Sequence, residues 1–257
     1  KIILNTAVTK INKKNDEILN IETSSDIISA KNYIIATGGK ARPETGSTGE
    51  GFLWLSKLGH TIITPDLALV PVKIGEQWIK NLQGLSLPET AITLIEHGKK
   101  NLTQKGKLLF THFGISGPLA LNLSNTIREA IKESTVTLSL DFFPNINNKE
   151  LDERLRDHLK EVQNKKWRNA LKGFLPPLLA QLILEISKID PELFVNKIPK
   201  ESRLFVVNLL KNLIITPTGF LGQEKAIVSS GGVALEEIDF KTMRSHKIKN
   251  LFLTGDV

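Results

Sequence analysis

Cysteine is absent from this chain of 257 residues. Its absence excludes disulfide bonds, thiol nucleophiles and metal sites with cysteine ligands, and it is typical of a cytoplasmic protein. Aromatic residues are scarce at 6%, with one tyrosine in the whole sequence. The histidines do not follow the spacing of metal ligands, so we expect no bound metal; they are His60, His97, His112, His158 and His246.

Several sequence motifs are also missing. No apolar run reaches the length of a membrane-spanning helix, and residues 1–5 do not form a signal peptide, so we expect no membrane contact. No Gly-x-Gly-x-x-Gly follows a strand, and the glycine-rich stretch 46–51 lacks the lysine of a triphosphate-binding loop. The stretch 114–117 is one residue short of a hydrolase nucleophile elbow, which argues against acyl transfer.

The composition is that of an ordinary globular protein, with 40% hydrophobic and 24% charged residues. A chain of this length can build one large core or two smaller ones. The formal charge is +7, but the lysines are scattered along the sequence rather than gathered in one tail. We read this charge as a weak steering field and do not expect a nucleic-acid partner.

One short apolar stretch ends abruptly in paired glycines. Residues 33–36 are apolar and are followed by Thr37, Gly38 and Gly39. The pattern predicts a buried parallel strand whose carboxyl end lets a ligand approach the backbone, as ligands do in open α/β sheets. The alternative is that the two glycines only make a tight turn.

Two further predicted strands end in or contain glycine. The last predicted strand, 250–254, ends in Gly255 and Asp256, and an extended run at 225–233 contains Gly231 and Gly232. After the loop at 46–51, apolar residues at helical spacing predict a short helix that ends before Gly59. His60 follows this glycine, where it either hydrogen-bonds the last helical carbonyls or touches a ligand.

Along the chain, predicted strands are followed by a long segment of predicted helices. Residues 1–39 predict a small antiparallel meander, with a first strand at Ile3 and Leu4, that leads into the strand at 33–36. Short strands then predict a small barrel or sandwich inserted into the first domain, at 67–74, 82–87, 90–95, 107–111 and 136–140. Residues 148–213 predict helices. Ser116 is a favourable N-cap for a helix running to about Lys132.

Thr111, His112 and Ser116 are the candidate residues for contact with a substrate. They stand just before or at a helix N-terminus, whose free N–H groups suit an anionic or electron-rich group. His112 is able to exchange a proton near neutral pH. A purely structural role for these side chains is the alternative.

The ordered set of motifs resembles bacterial flavoproteins with a glutathione-reductase-like FAD domain, known as NAD(P)/FAD-dependent oxidoreductases or as the aminoacetone oxidase family. The resemblance runs along the whole chain and depends on short stretches at 36–39, 46–51, 58–61, 69–71, 111–118, 231–233 and 254–256. It implies an α/β fold, α+β overall, in which a discontinuous Rossmann-like FAD domain is interrupted by a β-barrel-like domain with a helical insertion. The expected FAD domain comprises residues 1–65 and 224–257, and the β-barrel-like domain comprises 66–147 and 213–223. The helical insertion is expected at 148–212.

The resemblance also implies a function. It indicates a flavoprotein oxidoreductase that transfers hydride through FAD, with NAD(P)H as a candidate reductant and a small molecule as substrate. The residues expected to contact the cofactor are Val8, Ala36, Thr37, Gly38, Gly39, Gly231, Gly232, Gly255 and Asp256. Val8 is expected near the adenine, and Asp256 near a hydroxyl group, because its carboxylate would repel a phosphate.

The same family carries its dinucleotide fingerprint ahead of the point where this sequence begins, and a glycine-rich helix after the last strand. The sequence has no starting methionine and halts just after Asp256. We therefore expect a piece of a longer protein that is inactive alone, because most anion contacts to FAD would be lost.

A rival interpretation is a non-catalytic interaction module. In this hypothesis the glycines are only structural, and the basic face of the helical insertion contacts RNA or another protein through Arg154, Arg156 and Lys160. Acidic residues interleave with these basic ones, a pattern more typical of a solvated helix surface.

Overall fold

A computed structural model of the chain describes residues 2–41, 43–222 and 228–257. It divides into two compact units, Lys1–Ala68 with Gly222–Val257, and Leu69–Leu221. Within the described ranges, no helix is both long and apolar enough to cross a membrane. Residues 225–227, the first part of the extended run predicted at 225–233, lie outside the described residues.

The elements are numbered in chain order. The strands are β1 Val8–Lys14, β2 Glu17–Thr23, β3 Ile27–Ile28, β4 Tyr33–Ile35, β5 Ile62–Ala68, β6 Val72–Ile74, β7 Ser86–Glu96, β8 Lys99–Thr111, β9 Gly114–Ser116, β10 Val136–Asp141, β11 Leu213–Ile215, β12 Pro217–Phe220, β13 Val228–Val233, β14 Ile238–Asp239, β15 Arg244–Ser245 and β16 Leu251–Leu253. The α-helices are α1 Glu50–Leu58, α2 Gly117–Glu133, α3 Asn148–Glu161, α4 Trp167–Phe174, α5 Pro177–Ser187 and α6 Lys200–Lys211.

The first unit contains three small sheets. Strands β1, β2 and β3 form an antiparallel meander, β5 pairs with β13, and the third sheet has the order β14-β15-β16-β4. In this third sheet β4 runs parallel to β16, with Leu251 opposite Tyr33 and Leu253 opposite Ile35. The parallel strand predicted at 33–36 is therefore confirmed. Its inward side chains pack with α1 in one apolar cluster that includes Leu55 and Leu58.

The second unit is a barrel-like sheet with a helical insertion. Its seven strands have the order β11-β10-β7-β8-β9-β6-β12, and α2 packs against β8. Helices α3 to α6 fall between β10 and β11 and share one large core with the sheet. This mixed α/β architecture, with a β-rich domain that carries a helical insertion, confirms the expected fold class.

Local sequence determines where several helices begin and end. Gly59 adopts φ 102° directly after α1, a left-handed conformation that glycine enters without steric cost, so the predicted helix end is correct. Helix α3 begins with a capping box, in which Asn147 accepts from the Glu150 N–H and the Glu150 carboxylate accepts from the Asn147 N–H. These interactions satisfy backbone donors that a helix start otherwise leaves free.

Two strand predictions were wrong. Residues 3–4 are not in a strand. The predicted strand at 82–87 begins inside a 3-10 helix, Gln77–Leu82, and only its last residues belong to β7. The buried side chains Ile79 and Leu82 lie three positions apart, which places them on one side of a 3-10 helix and not on one face of a strand.

Candidate functional site

The carboxyl ends of β4 and β16 lie side by side in the first unit. The Thr254 N–H donates to the carbonyl of Ile35, the last residue of β4, at 3.1 Å, which continues the parallel pairing one residue past the end of β16. The glycine-containing segments that follow, 37–39 and 254–256, therefore start from the same edge of the sheet. This is the arrangement that the sequence pattern predicted for a ligand site.

Two other elements close in on this edge. Gly51 lies in the first turn of α1, where a Cβ atom would stand 2.1 Å from Thr37 Oγ1 and 3.7 Å from Val257 Cγ1. Gly232 in β13 has φ 107°, and a Cβ atom there would stand 2.7 Å from the Val257 carbonyl oxygen. The start of α1, the two strand ends and β13 thus converge, and the absence of side chains at Gly51 and Gly232 makes this convergence sterically possible.

The convergence leaves groups able to receive a ligand. Thr37 Oγ1 is buried and has no hydrogen-bond partner among the described residues. Such an orphaned buried hydroxyl is costly unless a partner arrives. Gly255 has φ 80°, and no atom of the residues that the structure describes lies within 4 Å of the position where its Cβ would project. At the start of α1, the N-cap residue Gly49 provides no side-chain capping hydrogen bond. An electron-rich ligand fits these features.

The other predicted cofactor residues take varied positions. Gly38 has φ 69°, and its Cβ would lie 2.6 Å from Ser47 Oγ, so the loop before α1 packs against it. Gly39 is buried, whereas Ala36, Gly231 and Asp256 are exposed. Val8 is half-buried at the start of β1, opposite Thr23, in a different sheet from β4 and β16.

The three candidate substrate residues lie in the second unit. Thr111 and Gly114 pair across a tight hairpin between β8 and β9, and Thr111 Oγ1 donates to the Gly114 carbonyl at 3.0 Å. His112 is exposed at the tip of this hairpin, with its ring edge-on to Phe113. Ser116 is the N-cap residue of α2, as predicted, but its side chain makes no capping hydrogen bond.

The glycines of this hairpin have a packing role. A Cβ on Gly114 would stand 2.1 Å from the Val72 carbonyl oxygen, because β6 runs directly against β9. A Cβ on Gly117 would stand 3.1 Å from the Lys107 carbonyl oxygen. Close strand packing alone therefore accounts for both glycines of this motif.

The sequence is similar to that of a known protein family. Residues 67–228, more than half of the sequence, match the family that is described as "HI0933-like protein barrel and H2TH domain". The chain belongs to the HI0933-like family. This family assignment, together with a relative that is named as a reductase, supports the flavin-dependent oxidoreductase class at the family level.

Three curated relatives of this HI0933-like chain carry enzyme names. A ribosomal RNA dihydrouridine synthase of Haemophilus influenzae is 32% identical over 262 residues, which cover 100% of this chain and 62% of the relative. A ribosomal RNA dihydrouridine synthase of Escherichia coli is 23% identical over 244 residues, 95% of this chain and 58% of the relative. A 3-dehydro-bile acid delta(4,6)-reductase of Clostridium scindens is 26% identical over 230 residues, 89% of this chain and 56% of the relative. The chain thus spans less than two thirds of the length of each of these relatives.

Sequence reasoning on this HI0933-like chain missed a buried polar pair behind α1. His60 and Ser245 are each 4% exposed, and His60 Nε2 lies 2.8 Å from Ser245 Oγ. Ser245 Oγ accepts from the N–H groups of Lys247 and Ile248. With its acceptor positions occupied, the hydroxyl donates to Nε2, which assigns the proton of neutral His60 to Nδ1. No local pattern marks this pair, since its members are 185 residues apart.

His60 hydrogen-bonds one of the last helical carbonyls, which was one of the two expectations for it: its backbone N–H donates to the Leu55 carbonyl at 3.0 Å. Lys13 Nζ donates to the Leu58 carbonyl, and Lys247 Nζ donates to the Gly59 carbonyl. These two ammonium groups satisfy carbonyls at the helix C-terminus, where positive charge is favourable. The imidazole of His60 is held in the interior by its hydrogen bond with Ser245.

The burial of His60 favours its neutral form. Burial lowers the pKa of His60 below its ordinary value of 6.5, and the carboxylate of Glu237 offsets this only in part. Burial alone would raise the pKa of Glu237, but hydrogen bonds from Lys247 and Thr61 outweigh it and lower this pKa to about 2. The Lys247–Glu237 ion pair, at 2.7 Å, therefore persists to acid pH.

We expect the protein to lose stability as the pH falls below about 6.5. In that range the unfolded chain protonates His60 while the folded chain resists it, so the unfolded state binds more protons and the free energy of unfolding decreases. Urea unfolding between pH 7.5 and 5 checks this. The His60→Gln variant should show a smaller loss, whereas His246→Gln, at an exposed position of the same unit, should behave as the parent. Equal pH dependence in the parent and His60→Gln would contradict the assignment.

Proposed function

We propose that the protein is a flavin-dependent reductase that adds a hydride and a proton across a carbon–carbon double bond conjugated to a carbonyl group. The observation that carries the proposal is the convergence around Thr37, with its orphaned hydroxyl and the open backbone at Gly255. The names of the relatives are consistent with the reduction of a carbon–carbon double bond in a ring. Dihydrouridine is uridine with one ring double bond reduced, and a delta(4,6)-reductase removes a ring double bond.

The residues at the convergence fit FAD. Thr37 Oγ1 is in place to hydrogen-bond a polar atom of the cofactor, and the left-handed backbone at Gly38 and Gly255 allows close approach. Exposed Asp256 suits a hydroxyl group, because a phosphate would be repelled. Bound FAD would supply the hydride, with NAD(P)H as the proposed source of electrons.

The proposed substrate is a uracil ring within RNA. The sequence alone led us to expect a small molecule, and a bile-acid ring system would fit that expectation. Two of the three relatives are named for ribosomal RNA, and the net charge of +7 is compatible with an anionic substrate.

The rival interaction module loses support from ion pairing on the helical insertion. Lys160 pairs with Asp157 at 3.0 Å, and both Lys166 and Arg168 pair with Glu192. These acids offset the charge of Lys160, one of the three residues on which the rival hypothesis depends, and of two further basic residues of the insertion. Exposed pairs of this kind are typical of a solvated surface.

The visible absorption spectrum of the purified full-length protein, which contains this chain, tests the proposal. We expect flavin absorption that NADH or NADPH bleaches under anaerobic conditions, and that returns when unmodified ribosomal RNA is added. A parallel addition of a conjugated steroid enone tests the small-molecule alternative. A protein that shows no flavin absorption even after incubation with FAD would overturn the proposed function.

A further inference from the structure

An apolar pocket with an aromatic wall lies in the second unit, between the start of β7 and the helical insertion. Its volume is about 360 Å³, and its lining includes Phe143, Phe174, Leu179 and the side chain of Arg154. The rings of Phe143 and Phe174 are stacked, with centroids 6.1 Å apart and planes at 25°. His158 lies against Phe174 and bonds the Ala170 carbonyl, which holds this wall in place. The pocket therefore offers an aromatic surface beside the guanidinium group of Arg154, and its lining also includes the carboxylate of Glu89.

A polar groove of about 450 Å³ lies on the outer face of the same sheet. It is lined by strands β7, β8 and β10 and by the end of α6, and it contains three lysines, Lys100, Lys105 and Lys211. Amide side chains at Asn208 and Asn212 add donors and acceptors. Lysine and amide groups of this kind contact phosphates, sugars and base edges in nucleic-acid complexes.

The pocket and the groove adjoin each other at one loop. Pro144 lines both cavities. Lys105 Nζ donates to the Pro144 carbonyl at 2.9 Å and to Asn145 Oδ1 at 3.3 Å, and the Asn145 amide donates to the carboxylate of Glu89. A ligand chain can therefore pass from the lysines to the aromatic wall without leaving this surface.

The charge balance of the groove leaves positive charge available. The Lys211 ammonium bonds Asp141 and two backbone carbonyls, so the acid in the groove is already neutralised. Lys100 is exposed and makes no ion pair within the described part of the chain. Lys105 bonds only uncharged oxygens. The groove is thus complementary to an anionic chain.

We propose that this surface, the pocket and the groove together, binds single-stranded RNA, with bases stacked on the Phe143–Phe174 wall and phosphates held by Lys100 and Lys105. Single-stranded nucleic acids are bound in this way, by aromatic platforms beside a positively charged groove. The proposal rests on the proposed function in so far as that function takes RNA as substrate. It departs from the expectation that no nucleic acid binds.

Fluorescence anisotropy with a labelled twelve-nucleotide oligouridine tests the proposal at two salt concentrations. We expect Lys100→Gln to weaken binding and to reduce the slope of log affinity against log salt by about 0.7, the contribution of one phosphate contact in single strands. Phe174→Leu keeps an apolar side chain but removes the stacking face, and should weaken binding at least about fivefold. Arg154→Gln removes the guanidinium group from the pocket and leaves the core intact, and it should also weaken binding.

The matched control is Arg156→Gln with Lys160→Gln. These side chains lie on the same insertion but line a different cavity, so binding should be unchanged. Binding that is lost in this control and retained in Lys100→Gln and Arg154→Gln would overturn the proposal in favour of the basic face of α3. Absence of oligouridine binding to the parent protein would also overturn it.

The flavin spectrum separates this proposal from the proposed function. A protein that carries reducible flavin but does not bind oligouridine would retain the reductase assignment and refute the RNA surface. A protein that binds oligouridine through Lys100 but takes up no flavin would retain the surface and refute the reductase.

Discussion

Replacement of Gly114 with alanine is expected to destabilise the barrel unit by about 3 kcal/mol, at the upper end of the usual cost of overpacking. The new Cβ would stand 2.1 Å from the Val72 carbonyl oxygen and 2.9 Å from the Ile74 backbone nitrogen. Both neighbours are backbone atoms in the adjacent strand β6, so no side-chain rotation relieves the overlap. Urea unfolding followed by circular dichroism measures the loss.

Gly219 provides a closely matched control for this change. Its φ is 155°, against 156° for Gly114, but nothing lies within 4 Å of its Cβ position. Gly219→Ala therefore carries the same backbone cost without the steric overlap. If the two variants lost equal stability, the close packing of β6 on β9 would not be the reason for glycine at position 114.

Replacement of Gly255 with alanine is expected to abolish most flavin binding while it changes the fold little. No described residue occupies the space into which the new methyl group would project, so the substitution costs only the left-handed backbone strain of about 1 kcal/mol. If a cofactor lies over this backbone, the methyl group blocks it. The ratio of flavin absorbance to protein absorbance in the purified variant checks the prediction.

The control for this experiment is Gly98→Ala. Gly98 has φ 74°, close to the 80° of Gly255, and its Cβ position is also empty, but it lies in the turn between β7 and β8. It should keep its full flavin content. Normal flavin content in Gly255→Ala would show that the cofactor does not approach this strand end.

Local patterns predicted much of the fold. The apolar run at 33–36 indicated a strand, Gly59 marked the end of α1, and Ser116 with Pro118 marked the start of α2. Each of these features depends on residues within one or two turns of the chain, where propensity and capping act directly. The barrel and its helical insertion followed from the change of period between 67–140 and 148–213.

The candidate site was predictable only in outline. The paired glycines at the end of β4 indicated a place of close approach, but nothing local shows that Gly51 is crowded by Thr37 or Gly232 by Val257. Those contacts are made between elements far apart in sequence. The His60–Ser245 pair was missed for the same reason.

The insertion of the barrel unit between β5 and β13 has a consequence for how the chain folds. The barrel unit is one continuous segment, Leu69–Leu221, so all its contacts form once that segment has left the ribosome. The first unit instead depends on pairings such as the Ile18 N–H with Asn250, which are 232 residues apart. Contacts between residues far apart in sequence slow folding, because a long loop must be closed to form them. The entropic cost of closing this loop is smaller once the barrel within it has folded. We therefore expect the barrel unit to fold before the first unit, whose candidate ligand-binding edge can form only after β16 has been synthesised.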